Sequence, residues 1–96
     1  MRGTIRIGTK DVDMVANGAT PFIYKRVFRR DFLATTQTED MDVYTELAFI
    51  MAQQADPTIT DELSWLDRFE DFDPWAVFYQ LMDLISSEQE IAPKNA

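Results

Sequence analysis

The sequence predicts a mainly α fold of the α+β class: a compact bundle of about four helices with a short β-hairpin or strand at the N-terminus. Residues 4–16 alternate polar and apolar side chains, which is typical of strands. From residue 20 onward apolar side chains recur every three to four positions, which is typical of helices. Residues 1–86 are predicted as a single helical domain and residues 87–96 as a flexible polar C-terminal tail.

The β element is predicted from the first sixteen residues. Thr4–Ile7 alternates polar and apolar side chains, Gly8–Lys10 has the composition of a turn, and Val12, Met14 and Ala16 continue the alternation. A two-stranded hairpin alone is marginal in water. We therefore expect it to lie against the helices or to pair with another copy.

The first predicted helix has a clear start signal. Thr20 fits the N-cap, and Pro21 fits the first helical position, where its missing N–H costs no hydrogen bond. The helix is predicted from Pro21 to Ala34. At 100° per residue its apolar and cationic side chains fall on opposite sides. The inward set is Ile23, Tyr24, Val27 and Phe28, and the outward set is Lys25, Arg26, Arg29 and Arg30.

Three more helices are predicted downstream. The second covers about Asp40–Gln54, the third about Asp61–Glu70 with Thr60 as its cap, and the fourth about Pro74–Ser86. Apolar residues cover more than half of the fourth helix, so we expect it to be the central and most buried one. The predicted core stripes are Val43, Tyr44, Leu47, Ile50 and Met51 in the second helix, and Leu63, Leu66 and Phe69 in the third.

Charge is divided unevenly along the chain. Residues 1–36 carry 7 Lys/Arg and 3 Asp/Glu, a net charge of +4, whereas residues 37–96 carry 2 and 14, a net charge of −12. Folding alone rarely needs such an asymmetry, and it indicates partners or self-association.

The composition excludes several classes of protein. The chain has no cysteine, which excludes a disulfide scaffold and a thiolate nucleophile, and no histidine, the commonest general base and transition-metal ligand. The opening residues lack the apolar segment of a signal peptide, and no run approaches 18 apolar residues. We therefore expect a soluble protein of a reducing cytoplasm, with no membrane partner.

No enzymatic chemistry is predicted. The sequence contains no P-loop, no Rossmann glycine pattern and no nucleophile elbow. The acidic cluster Asp67, Glu70, Asp71 and Asp73 lacks the glycine of a calcium-binding loop, and we interpret it as a solvated face between core aromatic residues. We expect no catalytic residue, no cofactor and no metal site.

The basic side of the first predicted helix is the main candidate site. The pairs Lys25/Arg29 and Arg26/Arg30 are each spaced four apart, so the four cations share one side. They form either a solvated face balanced by acidic helices of the same domain, or a docking patch for an acidic surface on another copy or a partner. Nucleic acid is not the expected partner, because the chain's pI is 4.3 and modules that bind it are strongly basic.

Three apolar residues extend this candidate site. Phe22 and Leu33 fall within the basic side of the first helix, and Phe49 falls beside Asp42 and Glu46 on the polar side of the second. Arginine and aromatic residues are enriched at the energetic centres of protein interfaces. We therefore interpret Phe22, Leu33 and Phe49 as partner contacts.

Asp31 is a charged residue on the apolar side of the first predicted helix. Its angle places it between Tyr24, Val27 and Phe28 on the apolar side. Because a buried unpaired carboxylate is costly, we expect a partner for Asp31: a tyrosine hydroxyl, an arginine or backbone N–H groups.

The segment ATPFIYKRVFRRDFL resembles the tail assembly chaperones of long-tailed (siphovirus-type) phages or prophages of Gram-positive bacteria. In that family a short β segment precedes a small residue, Thr-Pro and a Tyr-x-x-x-Phe-x-x-Asp helix. The later segments LAFIMAQQAD and SWLDRFEDFD also resemble the family, so the similarity covers roughly residues 3–86. Arg29 and Arg30 stand where the family has glycine or a polar residue. The matching residues are Ala19, Thr20, Pro21, Tyr24, Phe28 and Asp31, followed by Leu33.

The resemblance implies a non-enzymatic chaperone of tail morphogenesis. Such proteins bind the long tape-measure protein and recruit tail tube subunits in the host bacterial cytoplasm, and are absent from the mature virion. They often form homo-oligomers and often exist also as a longer frameshifted form. The charge division of this chain would let copies stack head to tail.

Two other functions compete with this interpretation. The net charge of −12 in residues 37–96 could make the chain an acidic DNA mimic that inhibits a nucleic-acid enzyme, which predicts acids in phosphate-like rows on one face. The basic helix could instead bind DNA directly.

Overall fold

Two strands and four helices form the part of the chain that the computed structural model describes, residues 1–29 and 41–91, with side chains described as far as residue 86. This architecture confirms the predicted mainly α fold with an N-terminal β-hairpin. In chain order the elements are β1 (Arg2–Ile7), β2 (Lys10–Val15), α1 (Thr20–Phe28), α2 (Met41–Ala55), α3 (Glu62–Leu66) and α4 (Pro74–Ile91).

The hairpin turns at Gly8, whose φ of 61° lies in the left-handed region that glycine adopts without steric cost. The strands are antiparallel, with Ile7 opposite Lys10 beside the turn. Because side chains alternate along a strand, Ile5, Ile7 and Met14 share the face turned to the helices, and all three are buried. β1 packs on α4 and β2 on α2, so the hairpin lies against the helices as predicted.

The central helix is α2, because it packs against β2, α1, α3 and α4. Nine of its residues are buried. The prediction that the last helix is the most buried is therefore wrong: α4 leaves Trp75 and Tyr79 exposed. The predicted core stripe of α2 is confirmed, since its members are all buried: Val43, Tyr44, Leu47, Ile50 and Met51.

α3 begins one residue later than predicted and is much shorter. Its N-cap is Asp61 rather than Thr60, and the Asp61 carboxylate accepts a hydrogen bond of 2.9 Å from the N–H of Ser64. The helix ends at Leu66, well before the predicted end at Glu70.

The short length of α3 changes which of its side chains are buried. Leu63, predicted in the core, is 69% exposed, while Trp65 is buried. Leu66 and Phe69 are partly buried against the core. Because the chain leaves the helix after little more than one turn, the helical period does not relate Leu63 to Phe69.

α4 begins at the predicted signal. Asp73 Oδ1 accepts hydrogen bonds from the N–H groups of Trp75 at 3.0 Å and Ala76 at 3.4 Å. The helix extends to Ile91, past the predicted end at Ser86. The remainder of the predicted tail, residues 92–96, lies outside the described residues. None of the described helices combines the length and apolar character needed to cross a membrane.

Candidate functional site

The first residue of α1 is tied to the end of α2. Thr20, predicted as the N-cap, lies inside the helix, and Ala19 takes the cap position. Thr20 Oγ1 accepts a hydrogen bond of 2.9 Å from the N–H of Asn17 and donates one of 2.6 Å to Gln54 Oε1. Pro21 stands in the first turn, as predicted. These contacts fix where α1 starts and how it meets α2.

Tyr24 and Phe28 hold the inward side of α1. Tyr24 is fully buried, and its hydroxyl donates a hydrogen bond of 3.1 Å to Glu46 Oε1 on α2. The centroids of the Tyr24 and Phe28 rings are 5.3 Å apart, and Phe28 lies 6.1 Å from the ring of Phe49. The two aromatic positions of the resembled motif thus attach α1 to α2.

Phe49 does not belong to an exposed site, and the prediction that it faces outward is wrong. It is 3% exposed, and its ring lies 6.0 Å from that of Trp65 on α3 as well as near Phe28 on α1. Glu46, assigned to the same polar side, is also buried. The cause is tertiary: α1 and α3 cover the side of α2 that the helical period assigns to solvent.

Val27 is more exposed than predicted. Predicted to face inward, it is 49% exposed. α1 packs chiefly on α2 alone, so its contact side is narrow. Only Thr20 and Tyr24 are fully buried, while Ile23 and Phe28 are partly buried.

α1 ends at Phe28, earlier than the predicted end at Ala34. Arg29 is the C-cap, with φ 61° and ψ 33°, and its N–H donates a hydrogen bond of 2.8 Å to the carbonyl oxygen of Lys25. Helices that end in this left-handed conformation usually place glycine there. A residue with a Cβ costs roughly 1–2 kcal/mol in that conformation.

Part of the predicted site cannot be placed. Arg30, Asp31 and Leu33 lie outside the described residues, so the expected partner of Asp31 cannot be assigned. A buried carboxylate bonded to a tyrosine hydroxyl, one of the three arrangements expected for Asp31, is seen at Glu46.

The outward side of α1 forms an open groove lined by Phe22, Lys25, Arg26 and Arg29, which we call the basic groove. All four side chains are exposed, and Phe22 is 62% exposed. The spacing of Lys25 and Arg29 by four residues, with Arg26 beside them, places three cations around one aromatic ring.

The three cations of the basic groove lack acidic partners within the described residues. The only ion pair there joins Arg6 and Asp11 on the hairpin, at 3.5 Å. The positive charge of the groove is therefore not balanced by contacts with the described acidic residues.

Several acidic side chains accept hydrogen bonds at helix starts and turns. Asp56 accepts hydrogen bonds from the hydroxyl and the N–H of Thr58, at 2.6 and 3.1 Å, and these bonds, with a smaller effect of Arg68, lower the pKa of Asp56. Hydrogen bonds from Ser64 lower the pKa of Asp61 in the same way. Part of the negative charge therefore caps backbone N–H groups.

The acidic side chains are spread over several elements. They occur on the hairpin, on α2, in the loops on either side of α3 and on α4. Within the described residues no group of three acidic side chains lies close enough to hold a metal ion. At α1 the described surface presents three cationic side chains beside an exposed aromatic ring.

Two exposed apolar side chains were missed by the sequence reasoning. Leu63 borders a groove with Asp42, Glu62 and Leu66, and Tyr79 is 65% exposed on α4. The sequence offered no signal for Leu63, because its exposure follows from where α3 stops.

Comparisons with protein-family models, with curated proteins and with solved structures found no match to this chain. The class that the described fold defines is a small α+β protein with an N-terminal hairpin packed on helices and an exposed cationic helix face.

Proposed function

We propose that this chain is a non-enzymatic tail assembly chaperone of a siphovirus-type phage or prophage. In this role it binds the tape-measure protein and tail tube subunits during tail morphogenesis and associates with further copies of itself. The observation that carries the proposal is the basic groove: an exposed Phe22 beside Lys25, Arg26 and Arg29, with no acidic partner among the described residues.

The division of α1 into two sides supports this proposal. The resembled motif supplies the inward residues Tyr24 and Phe28, which attach the helix to α2. Arg29, which stands where the family has glycine or a polar residue, is exposed. A fixed helix with a free charged side suits binding of a protein partner without any chemical step.

The chemistry of the basic groove indicates what the client presents there. An aromatic ring surrounded by cations binds an apolar side chain flanked by carboxylates, because the ring loses its contact with water while the charges pair. A helical client segment with apolar residues and Asp or Glu one turn away would fit.

Self-association follows from the same charges. Residues 37–96 carry a net charge of −12, and the basic groove lies in the positive part of the chain. A contact between the basic groove of one copy and an acidic surface of the next is heterologous, so it produces a ring or an open helical assembly. Client and neighbouring copies would then compete for the same groove.

Co-expression tests the proposal. The tagged chain is produced together with the untagged tape-measure protein encoded by the same genome, and with an unrelated helical acidic protein as the control. We expect the tape-measure protein to co-purify and the control protein not to. If the tape-measure protein behaves identically with and without the chain, the proposed function is wrong.

A further inference from the structure

The outer edges of β1 and β2 differ in the hydrogen bonds that their outward backbone groups form. On β1, the side-chain amide of Gln80 from α4 accepts a hydrogen bond of 2.7 Å from the N–H of Arg6 and donates one of 2.8 Å to the carbonyl oxygen of Arg6. Gln80 thus occupies this edge at Arg6 in the way a neighbouring strand would. Exposed strand edges are sites of unwanted pairing, and a side chain from another element is one way to close them.

The outer edge of β2 has no such cover. Met1 and Ala16 exchange backbone hydrogen bonds across the hairpin, whereas the backbone groups of Arg6 point outward. The hydrogen bonds between β1 and β2 therefore involve every second residue of each strand, counted from Met1 and Ala16. On β2 the outward backbone groups therefore belong to Asp11, Asp13 and Val15. No hydrogen bond to these backbone groups is found from the described residues.

A groove runs beside this open edge. Asp11, Val12 and Asp13 form its strand side, and Ala52, Ile59 and Phe69 lie among the residues opposite. At the turn, Lys10 Nζ donates a hydrogen bond of 2.6 Å to the carbonyl oxygen of Arg68 and closes that end. The groove thus combines free backbone donors and acceptors with an apolar floor, carboxylates and two cationic side chains, those of Lys10 and Arg68.

We propose that the open edge of β2 binds an extended segment of a partner protein, which adds antiparallel to β2 as a third strand. Backbone hydrogen bonds to Asp11, Asp13 and Val15 supply the pairing, as in other cases of strand addition. This site is separate from the basic groove and does not depend on the proposed function.

The side chains around the edge define the chemistry of that segment. On the solvent side, Asp11 and Asp13 would stand beside the added strand, and Asp13 forms no ion pair with described residues. Cationic side chains at alternate positions of the segment would pair with them, and apolar side chains between would face the groove. A second copy of β2 fits poorly, because symmetric antiparallel pairing would set Asp13 against Asp13.

A synthetic peptide provides the probe: a blocked heptapeptide of alternating arginine and valine, observed by NMR on the full chain. We expect its binding to slow amide exchange at Asp11, Asp13 and Val15. A peptide with glutamate in place of arginine should bind at least about tenfold more weakly. Protection at other amides, no binding, or equal binding of the glutamate peptide would each overturn the proposal.

Two N-methylated peptides test the pairing itself. In the proposed antiparallel arrangement the arginine N–H groups face β2, and the valine N–H groups face solvent. Methylation of the arginine nitrogens should therefore abolish binding, while methylation of the valine nitrogens should preserve it. Equal effects of the two modifications would contradict strand addition.

A pair of proline variants gives the matching test on the protein. Asp13→Pro removes an outward N–H from β2, and Thr4→Pro removes one from β1. Both lose the same hydrogen bond of 3.1 Å between the Thr4 hydroxyl and Asp13. Only Asp13→Pro should weaken peptide binding, by at least about tenfold. Equal weakening in two folded variants would overturn the proposal, and if either fails to fold, the methylated peptides decide.

Discussion

Arg29 takes a backbone position that glycine fills in most helices with this kind of ending. The exposed cation at this position lies in the basic groove and forms no ion pair with described residues. Because local rules are most often broken at functional sites, the position of Arg29 agrees with its place in the proposed partner surface.

Replacing Arg29 by glycine should raise the free energy of unfolding and at the same time weaken partner binding. Arg29→Gly relieves a penalty of roughly 1–2 kcal/mol and adds glycine's entropic cost of roughly 0.5–1 kcal/mol, so the free energy of unfolding should rise by about 0.5–1 kcal/mol. Urea denaturation measures the rise, and the same variant should bind its partner more weakly. A less stable variant would show that the left-handed conformation carries no penalty here.

Glu46 is a buried carboxylate that accepts a hydrogen bond from the hydroxyl of Tyr24. Tyr24→Phe removes this donor without changing the packing of the ring, and should lower the free energy of unfolding by about 1–2 kcal/mol. Tyr79→Phe is the matched control, because Tyr79 is 65% exposed. If urea denaturation gives equal stabilities for the two variants, the Tyr24–Glu46 bond does not stabilise the fold.

At the scale of elements, local signals predicted where the chain turns and where helices begin. Gly8 at the hairpin and Asp73 before α4 act through backbone conformation and capping, which neighbouring residues determine. The buried sides were harder to predict, because they depend on how many neighbours each helix has. Phe49 is buried since α2 is covered on several sides, and Val27 is exposed since α1 packs chiefly on one helix.

Two phenylalanine variants test this assignment of buried and exposed sides. Phe49→Ala should lower the free energy of unfolding by about 3–5 kcal/mol, because it leaves a cavity between Phe28 and Trp65. Phe22→Ala should change it by less than about 0.5 kcal/mol, since Phe22 is 62% exposed. Comparable losses in the two variants, measured by thermal or urea unfolding, would mean that α1 is oriented differently.

Two acidic side chains between α2 and α3 should make the fold sensitive to acid. The pKa values of Asp56 and Asp61 are lowered in the folded chain from the ordinary value of 3.8 by bonds to Thr58 and Ser64. Their contribution to stability is present above pH 3.8 and is lost as the pH falls through the lowered values.

Unfolding by urea at a series of pH values between neutral and strongly acidic conditions measures this loss. Asp61→Asn keeps a side chain that can cap α3 but does not titrate, so part of the loss of stability in acid should disappear. An unchanged pH profile in Asp61→Asn would exclude Asp61 as a source of the acid sensitivity.

At the scale of the whole molecule, the charge division separates a positive first third from a negative remainder. The sequence located the cations of the basic groove, because an amphipathic helix with its start signal is visible in the chain itself. It could not predict that α1 stops at Phe28 or that Phe49 is covered, because both depend on the assembled fold. The basic groove is therefore smaller than the predicted site, at least within the described residues.

The affinity of paired charge variants for the purified tape-measure protein tests most directly whether the basic groove is the client-binding surface. Arg26→Glu reverses one charge in the groove, and Arg2→Glu makes the same change in net charge on an exposed residue of the hairpin. The groove variant should bind at least about tenfold more weakly than the unaltered chain, while the control should change by less than about threefold. Equal losses in both variants, or none in the groove variant, would show that the client binds elsewhere.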